Sequence, residues 1–333
     1  MEKIRVGING MGRIGRTVFR LMLDHPGIEI AGINDLLPVD TLVHLIRYDT
    51  VQGVLNRKVT AGTDHIVIGE KKIPVCHSTS PSGIPCAEWR TDVMIESSGK
   101  FKKRHELEQY LEAGAKKVLL SCPSEEEVDR TVILGVNGHE LVREDRIISN
   151  ASCTSNCVCS VLHVLQKEFG IVSAFLNTVH PMTNNQNLTD AGHKDLRRSR
   201  AACSNIIPTT TSAVRAIWKV MPELKDRFDG IATRVPVLDG ALSELVVVLN
   251  RQSSAGEINS VFKESSETYM KGIIRYTSDP IVSSDIIGDP HSAVFDSLST
   301  KVIGGNTAQL IAWYDNEYGY SNRITDLLIR IGR

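Results

Sequence analysis

The sequence has almost no excess of charge of either sign. Its 333 residues carry 38 Lys and Arg against 39 Asp and Glu, which gives a formal net charge of −1. A balance of this kind provides no broad basic surface for nucleic acid or for anionic lipid. We therefore expect no nucleic-acid partner.

Long apolar runs are also missing. No stretch reaches the roughly 20 apolar residues that a membrane-spanning helix needs. Met1-Glu2-Lys3 leads directly into a strand-like run, without the apolar core of a secretory signal. We expect a cytoplasmic protein with no membrane partner.

The seven cysteines do not form a recognisable framework. Their odd number and irregular spacing argue against a set of disulfides, and free thiols fit a reducing compartment. No pair of CxxC motifs is present, so we expect no structural zinc site and no bound metal. The cysteines are Cys76, Cys86, Cys122, Cys153, Cys157, Cys159 and Cys203.

The pattern of apolar residues changes near residue 150. Before it, short apolar runs alternate with helical segments, which is typical of an α/β fold with a doubly wound parallel sheet. After it, long β-rich runs predict an α+β domain with a mixed or antiparallel sheet. A length of 333 residues fits two domains. The predicted strands are 4–8, 29–33, 92–96, 117–121, 146–149, 171–180, 230–237, 242–251 and 307–314.

A glycine-rich turn follows the first strand and opens the first helix. Gly10 permits a tight turn, Gly12 leaves room for a pyrophosphate, and Gly15 lets the helix pack closely on the strand. The helix begins around Arg13 and Ile14, where free N–H groups and a partial positive charge favour an anion. The motif alone is weak evidence, because a glycine-rich turn can also occur without a ligand.

An acidic residue at the end of the second strand strengthens this interpretation. Asp35 lies twenty residues after Gly15, where its carboxylate can accept hydrogen bonds from ribose hydroxyls. Strand, turn, helix, strand and acid thus follow the order of a Rossmann dinucleotide-binding unit. The same charge would repel the 2′-phosphate of NADP, so we predict NAD. As an alternative, Asp35 is only a turn or helix-capping residue.

One cysteine lies where a strand is followed by a strong helix pattern. Cys153 comes after the small polar segment 149–152 and before apolar residues at 158, 161, 162, 164 and 165. A helix N-terminus lowers the pKa of a thiol, which makes Cys153 a candidate nucleophile. A lone cysteine at a helix start is nevertheless more often structural. Cys157 and Cys159 lie deeper in the same helix and are expected in the core.

The segment around Cys153 resembles the active-site segment of the phosphorylating glyceraldehyde-3-phosphate dehydrogenase family, whose product is an acyl phosphate. The resemblance covers nearly the whole chain, and its motifs come in the family's order. The matching segments are GINGMGRIGR at 7–16, ASCTSNC at 151–157, NIIP at 205–208, RVP at 234–236 and WYDNEYGYSNR at 313–323.

The resemblance implies a reaction. Cys153 would add to the aldehyde of glyceraldehyde 3-phosphate, and His180 would act as the general base while a hydride passes to NAD. Inorganic phosphate would then attack the resulting thioester and release 1,3-bisphosphoglycerate, a step of glycolysis and gluconeogenesis.

The resemblance also implies binding residues. The cofactor would contact Gly10, Gly12, Arg13, Ile14, Gly15, Asp35, Ser98, Gly99, Ser121, Asn316 and Tyr320. The substrate's phosphate would be bound mainly by Thr183, Arg197 and Arg234, and the attacking phosphate by Ser152, Thr154, Thr211 and Ser212. Residues 1–150, completed by a C-terminal helix at 317–333, would form the NAD-binding Rossmann domain. Residues 151–316 would form the catalytic domain of a homotetramer.

Several positions depart from the family's usual pattern. Ser212 replaces a glycine after Thr211, and Asp239 stands where an amide is usual. The segment 180–186 is similar to bacterial members that use NADP, which stays open as an alternative cofactor. One alternative function is a relative that oxidises erythrose 4-phosphate and hydrolyses the thioester. Another is a cofactor-binding regulatory or adhesion protein with weak catalysis.

Overall fold

The computed structural model describes residues 2–332. The chain divides into two compact units. The first unit contains the chain up to Val132, residues 139–151 and the chain from Ser321 onward. The second contains Ile133–Gly138 and Ser152–Tyr320. Met1 and Arg333, the outer ends of the predicted domain ranges, lie outside the described residues.

The first unit alternates strands with helices along much of its length. Its helices before the C-terminal segment are α1 (Arg13–Leu23), α2 (Val39–Arg47) and α3 (Arg104–Glu112). Its strands are β1 (Ile4–Asn9), β2 (Ile28–Asn34), β3 (Tyr48–Asp49), β4 (Gly53–Val54), β5 (Val59–Ala61), β6 (His65–Ile68), β7 (Lys71–Cys76), β8 (Val93–Glu96), β9 (Lys117–Leu120), β10 (Arg130–Thr131) and β11 (Ile147–Ser149).

The main sheet of this unit confirms the predicted doubly wound, parallel arrangement. Its strand order is β10-β11-β9-β8-β1-β2-β7-β6-β5, and every pair from β10 to β7 is parallel. β1 and β8 are buried at nearly every position, as expected for strands covered on both faces. The carboxyl ends of β1, β2 and β8 meet at one edge, which is where a parallel sheet binds ligands.

The sequence prediction missed an antiparallel extension of this sheet. β5, β6 and β7 form two successive antiparallel pairs at its edge. β6 and β7 are joined by a two-residue turn whose first residue, Gly69, has φ +59°. A residue of positive φ suits such a tight hairpin, but the alternation in these strands is short and interrupted by charged residues.

The second unit contains longer strands. Its helices are α4 (Cys153–Glu168), α5 (Ala213–Val220) and α6 (Ala255–Glu267). Its strands are β12 (Ile171–Pro181), β13 (Ile207–Thr209), β14 (Phe228–Val235), β15 (Ala241–Leu249), β16 (Ile274–Thr277), β17 (Ala293–Ile303) and β18 (Thr307–Tyr314).

These strands form the predicted mixed sheet, in the order β13-β14-β12-β15-β18-β17-β16. β12 is parallel to β14 and antiparallel to β15, so the sheet contains both kinds of pairing. The prediction extended β14 to residue 237, whereas the strand ends at Val235. Pro236 has no N–H to donate to the next ladder position, which explains the earlier end.

The C-terminal helix, α7 (Tyr318–Ile331), carries buried Ile324, Leu327, Leu328 and Ile331 on one side. This spacing is the helical period expected from the sequence. Its residues from Ser321 onward belong to the first unit, and Gly332 lies against Ile4 of β1. Within residues 2–332, no helix has both the length and the apolar character needed to cross a membrane.

Candidate active site

The glycine-rich turn between β1 and α1 requires glycine at two of its positions. Gly10 has φ +90°, and a Cβ there would lie 2.5 Å from the backbone N of Ser98. A Cβ on Gly15 would lie 2.0 Å from the carbonyl oxygen of Gly10. Gly12 differs, because a Cβ there would meet nothing within 4 Å. The space beside Gly12 is therefore left open at the start of α1.

Asp35 is held against this turn. Its Oδ2 accepts a hydrogen bond from the N–H of Met11 at 2.7 Å, and its Oδ1 accepts one from the N–H of Leu37 at 2.9 Å. Each carboxylate oxygen keeps a further lone pair. The carboxylate is thus fixed at the mouth of the turn and can still accept hydrogen bonds from a ligand's hydroxyls.

Other predicted cofactor residues surround the buried carboxyl of Glu96. Ser98 donates from both its N–H and its hydroxyl to Glu96 Oε1, and the hydroxyl of Ser121 donates to the Glu96 carbonyl at 2.9 Å. Burial raises the pKa of Glu96. Gly99 has φ +72° and open space where a side chain would project.

The first turn of α1 carries the remaining two predicted residues of the glycine motif. Arg13 and Ile14 open the helix directly after Gly12. The guanidinium of Arg13 is ion-paired with Asp49. Asp49 offsets the charge of Arg13 at the N-terminal end of α1, where the helix dipole is also positive.

Cys153 occupies the first position of α4. Ser152 is the N-cap, and its hydroxyl accepts a hydrogen bond from the N–H of Ser155 at 3.0 Å. Ala151, just before the cap, has φ +54°, an uncommon conformation for a residue with a side chain. Cys153 keeps partial exposure, while Cys157 and Cys159 lie in the core as predicted.

His180, near the end of β12, brings its ring to the thiol. Cys153 Sγ and His180 Nε2 are 3.5 Å apart. His180 is buried, and its Nδ1 lies 2.9 Å from the carbonyl oxygen of Pro181. With a proton on Nδ1 donated to that carbonyl, Nε2 has a free lone pair facing the sulfur. The pair can therefore move a proton between sulfur and imidazole.

The expected lowering of the Cys153 pKa is wrong, because burial raises it. Burial raises the pKa of the Cys153 thiol to about 11, although Arg234 and the Thr154 amide both lower it. Partial exposure of the side chain moderates this rise. Burial likewise lowers the pKa of His180 to about 3, and Arg234 adds to the effect. The resting pair is thus a neutral thiol beside a neutral imidazole, because desolvation outweighs the helix terminus.

Arg234 is the cation of this cluster. It faces His180 across the parallel pair β12 and β14, and its Nη1 donates to the Pro181 carbonyl at 2.9 Å. The same nitrogen lies 2.6 Å from His180 Nδ1, and because a guanidinium can only donate, this contact belongs to the other tautomer, in which Nδ1 accepts and Nε2 carries the ring proton. A guanidinium this close disfavours a second proton on the ring. The arrangement keeps His180 neutral and therefore available as a base.

Sequence reasoning missed Tyr314, which links three elements of the cluster. The Tyr314 hydroxyl is 2.8 Å from the hydroxyl of Thr154 and 2.7 Å from that of Thr178. Its ring meets the His180 ring edge-on at 6.2 Å. Strand alternation predicts only that one face of β18 is buried. The partners lie 136 and 160 residues away in sequence, so only the strand pairing could identify them.

Comparisons with known proteins agree with this geometry. A profile described as "Glyceraldehyde 3-phosphate dehydrogenase, NAD binding domain" matches residues 4–104, and one for the C-terminal domain of the same family matches residues 152–316. The chain belongs to the glyceraldehyde-3-phosphate dehydrogenase family.

Curated relatives match almost end to end. Glyceraldehyde-3-phosphate dehydrogenase 2 of Streptomyces avermitilis is 48% identical over 331 residues, covering 99% of this chain and 98% of the relative. The Mycobacterium tuberculosis protein is 46% identical over 337 residues, covering 99% of each. Glyceraldehyde-3-phosphate dehydrogenase 1 of Bacillus cereus is 44% identical over 324 residues, covering 97% of each. The predicted family is confirmed, and the chain is an NAD-dependent oxidoreductase of that family.

Within this member of the glyceraldehyde-3-phosphate dehydrogenase family, the predicted phosphate residues fall into two groups. Ser152 and Thr154 begin α4 beside Cys153, and Thr211 precedes Ser212, the N-cap of α5, with its hydroxyl accepting the N–H of Ala213 at 3.2 Å. The others lie on exposed segments: Thr183, Arg197 and Ser212. The neighbouring Arg198 is less exposed than Arg197 and makes closer contacts, since it donates to the Thr209 hydroxyl at 2.8 Å and to the Thr210 carbonyl at 3.0 Å.

The last two predicted cofactor residues follow β18. Asn316 is 7% exposed, and its side-chain Oδ1 has no hydrogen-bond partner within residues 2–332. Tyr320 is buried in the first turn of α7. An unpartnered buried carboxamide is costly unless a ligand engages it. Asn316 therefore fits a residue that binds an amide group.

Proposed function

We propose that this chain oxidises glyceraldehyde 3-phosphate with NAD and phosphorylates the product to 1,3-bisphosphoglycerate, through a thioester on Cys153. The observation that carries the proposal is the 3.5 Å approach of His180 Nε2 to Cys153 Sγ at the start of α4. A thiol and an imidazole in this relation are the parts that covalent aldehyde oxidation needs.

The residues present fit NAD. Open space beside Gly12 suits a pyrophosphate, the fixed carboxylate of Asp35 suits ribose hydroxyls, and the unpartnered oxygen of Asn316 suits the nicotinamide amide. Bound NAD supplies a hydride acceptor. We accordingly propose residues 1–150 with the C-terminal helix as the cofactor domain and 151–316 as the catalytic domain.

The proposed chemistry uses one sulfur and one base. His180 Nε2 takes the thiol proton of Cys153, the sulfur adds to the aldehyde carbon, and the imidazolium returns the proton to the carbonyl oxygen to give a hemithioacetal. His180 then removes the hydroxyl proton as the carbon loses a hydride, which leaves a thioester. A phosphate oxygen attacks the thioester carbon, the C–S bond breaks, and Cys153 is regenerated.

Arg234 supports the binding of anions in this scheme. Its buried guanidinium lies beside both reacting groups, and Arg198 is near enough for its charge to lower the pKa of Arg234. Two cations close together attract phosphate groups. An anion on Arg234 would also offset its charge, which raises the pKa of His180 and makes the ring a stronger base.

One observation favours the alternative of hydrolysis over phosphorolysis. Ser212 begins α5 next to Thr211, where its side chain can occupy space that a glycine would leave to the attacking phosphate. This keeps the oxidation of erythrose 4-phosphate, followed by hydrolysis, as the second candidate. The intact pair of Cys153 and His180 disfavours a purely regulatory or adhesive role.

The outer face of the second sheet supports a homotetramer. Phe175 and Val246 are paired across β12 and β15, and they are 65% and 42% exposed; Ile231 on β14 is 50% exposed. A contiguous apolar sheet face of this kind marks a protein interface. We propose that copies of this chain cover it in a cytoplasmic homotetramer.

A steady-state assay with two aldehydes tests the function. We expect glyceraldehyde 3-phosphate to be oxidised faster than erythrose 4-phosphate, with NAD preferred over NADP, and only when phosphate or arsenate is present. If erythrose 4-phosphate is turned over at a rate that does not depend on added phosphate, the hydrolytic alternative would replace the proposal. No turnover of either aldehyde would favour the regulatory role.

A further inference from the structure

Two buried carboxyl groups face each other in the second unit without enough donors to satisfy both. Asp239 is 3% exposed and Asp315 is 1% exposed. Asp315 accepts three backbone N–H groups, from Gly288 on Oδ2 at 2.7 Å and from Glu317 and Tyr318 on Oδ1 at 2.8 and 2.6 Å. Burial raises the pKa of Asp315, and these three donors oppose that rise by favouring the anion.

Asp239 has no comparable set of donors. Its Oδ1 accepts the N–H of Gly240 at 2.8 Å, but its Oδ2 is buried and has no donor within residues 2–332. None of the groups that most strongly shift the pKa of Asp239 or Asp315 is a Lys, Arg or His. A buried, unpaired carboxylate is strongly disfavoured, whereas a protonated Asp239 has a hydrogen to donate to Asp315.

The strand register explains why the two acids meet. Ala241 at the start of β15 is paired with Tyr314 at the end of β18. Residues just before Ala241 therefore come beside residues just after Tyr314. The acid pair connects the loop that follows Arg234 to the segment that carries Asn316, so it joins two parts of the proposed site.

We propose that Asp239 and Asp315 share one proton, which keeps Asp239 neutral near Cys153 and fixes the loop that follows Arg234. Asp239 is then a positioning residue whose ionisation weakens the nucleophile. The inference rests on the proposed role of Cys153 as the nucleophile.

The groups around the pair determine how it responds to pH. Burial is the main cause that raises the pKa of Asp239, and the charges of Asp315 and Glu317 raise it further. An ionised Asp239 raises the pKa of Cys153, in opposition to Arg234, which lowers it. Rising pH thus adds a negative charge near the sulfur just when the thiol should ionise.

Other acids on the adjoining segment already have partners. The backbone of Ser283 lies directly against Gly240, which has φ +84°. On that segment, Asp285 accepts the N–H of Val282 at 2.8 Å. Asp289 is ion-paired with Arg275 and with His291, at 2.7 and 2.8 Å. These groups do not compete for the shared proton.

Asp239→Asn tests the proposal, because an amide keeps a donor toward Asp315 but cannot ionise. The rate of Cys153 alkylation by iodoacetamide is followed from roughly pH 6 to pH 10 by peptide mass spectrometry, with exposed Cys203 as internal reference. Asp226→Asn is the matched control, since Asp226 is exposed in the turn before β14 and Asn also tolerates its positive φ.

We expect equal rates in both proteins at the acid end, where Asp239 is neutral in the wild type. At the alkaline end Asp239→Asn should react several-fold faster, up to about tenfold, which corresponds to one pKa unit. Identical profiles for wild type and Asp239→Asn would overturn the inference. If alkylated Cys153 retains full aldehyde oxidation, the proposed function fails instead, independently of Asp239.

A spectroscopic measurement keeps the test decisive if Asp239→Asn folds poorly. The wild-type protein at neutral pH should show an infrared carbonyl band of a protonated carboxylic acid, and this band should vanish on alkaline titration. Asp315→Asn removes the acceptor charge and should move that titration to lower pH. A wild-type spectrum with no protonated carboxyl at neutral pH would contradict the shared proton.

Discussion

The turn at Gly10–Gly15 and the cluster around Cys153 present opposite kinds of chemistry. The turn contributes main-chain features, which are the positive φ at Gly10, the open space at Gly12 and the N–H groups at the start of α1. The cluster offers side chains, with sulfur, imidazole and guanidinium brought together from α4, β12 and β14. One region is contiguous in sequence, and the other is assembled by strand pairing.

This difference determines what each region tolerates. A backbone site depends on the shape of the main chain, so a single added methyl group can block it. A side-chain site depends on burial and on neighbouring charges, which set the pKa values of Cys153 and His180. Substitutions should therefore separate cofactor binding from chemistry.

Cys153→Ser should give the largest effect. Serine is a far weaker nucleophile at neutral pH, so aldehyde oxidation should fall by at least about 10³-fold. NAD affinity should be retained, because the glycine turn is unaltered; fluorescence titration measures it. Cys203→Ser, an exposed position, is the control. Loss of NAD binding in Cys153→Ser would remove the separation between the two regions.

Gly10→Ala and Gly12→Ala should distinguish two requirements of the turn: the backbone conformation at Gly10 and the open space for a ligand at Gly12. A methyl group at Gly10 meets the backbone of Ser98 at 2.5 Å and requires φ +90°, so both folding stability and NAD affinity should fall. Gly12→Ala should fold normally, since nothing lies within 4 Å, yet lose about 100-fold in NAD affinity by filling the pyrophosphate space. Normal NAD binding by Gly12→Ala would place the cofactor elsewhere.

Stability should depend on pH through Asp239. Its pKa is raised from 3.8 to about 8 in the folded chain. The folded state then binds one more proton than the unfolded state, so this contribution is full below about pH 4 and is lost as pH rises to about 8. The slope is at most about 1.4 kcal/mol per pH unit. Urea unfolding at several pH values should show a flatter dependence for Asp239→Asn, and an equal slope would refute the assignment.

Tyr314→Phe should give the smallest effect of this series. It removes the hydroxyl that joins Thr154 to Thr178 beside His180. Loss of such a buried hydrogen-bonding group costs about 1–3 kcal/mol of folding free energy. Thermal unfolding should detect this, with kcat reduced only a few-fold. Tyr48→Phe, at an exposed tyrosine, is the control and should change neither quantity.

The sequence alone predicted the glycine turn, the position of Asp35 beside it and the position of Cys153 at a helix start, because each of these features depends on neighbouring residues. It also predicted the two kinds of sheet from the change in apolar period near residue 150. The bond from Tyr314 to Thr154 and the meeting of Asp239 with Asp315 depend on the register of β15 and β18, which no local pattern encodes.

The direction of the pKa shift at Cys153 shows a second limit of prediction from sequence. A helix N-terminus predicts a lower thiol pKa, but the amount of solvent around Cys153 follows from the packing of the whole second unit. Burial is the largest influence on this thiol, and it raises the pKa to about 11. The local sequence predicts the position of Cys153 at a helix start, but not the direction in which its pKa is shifted.

Trapping the acyl enzyme tests the central claim most directly. The protein is mixed with NAD and glyceraldehyde 3-phosphate in the absence of phosphate, quenched in acid, and mapped by peptide mass spectrometry. We expect one 3-phosphoglyceroyl group per chain, on Cys153, together with a burst of NADH, and we expect added phosphate to discharge it. NADH formation with no adduct on Cys153, or with the adduct on another cysteine, would contradict the account.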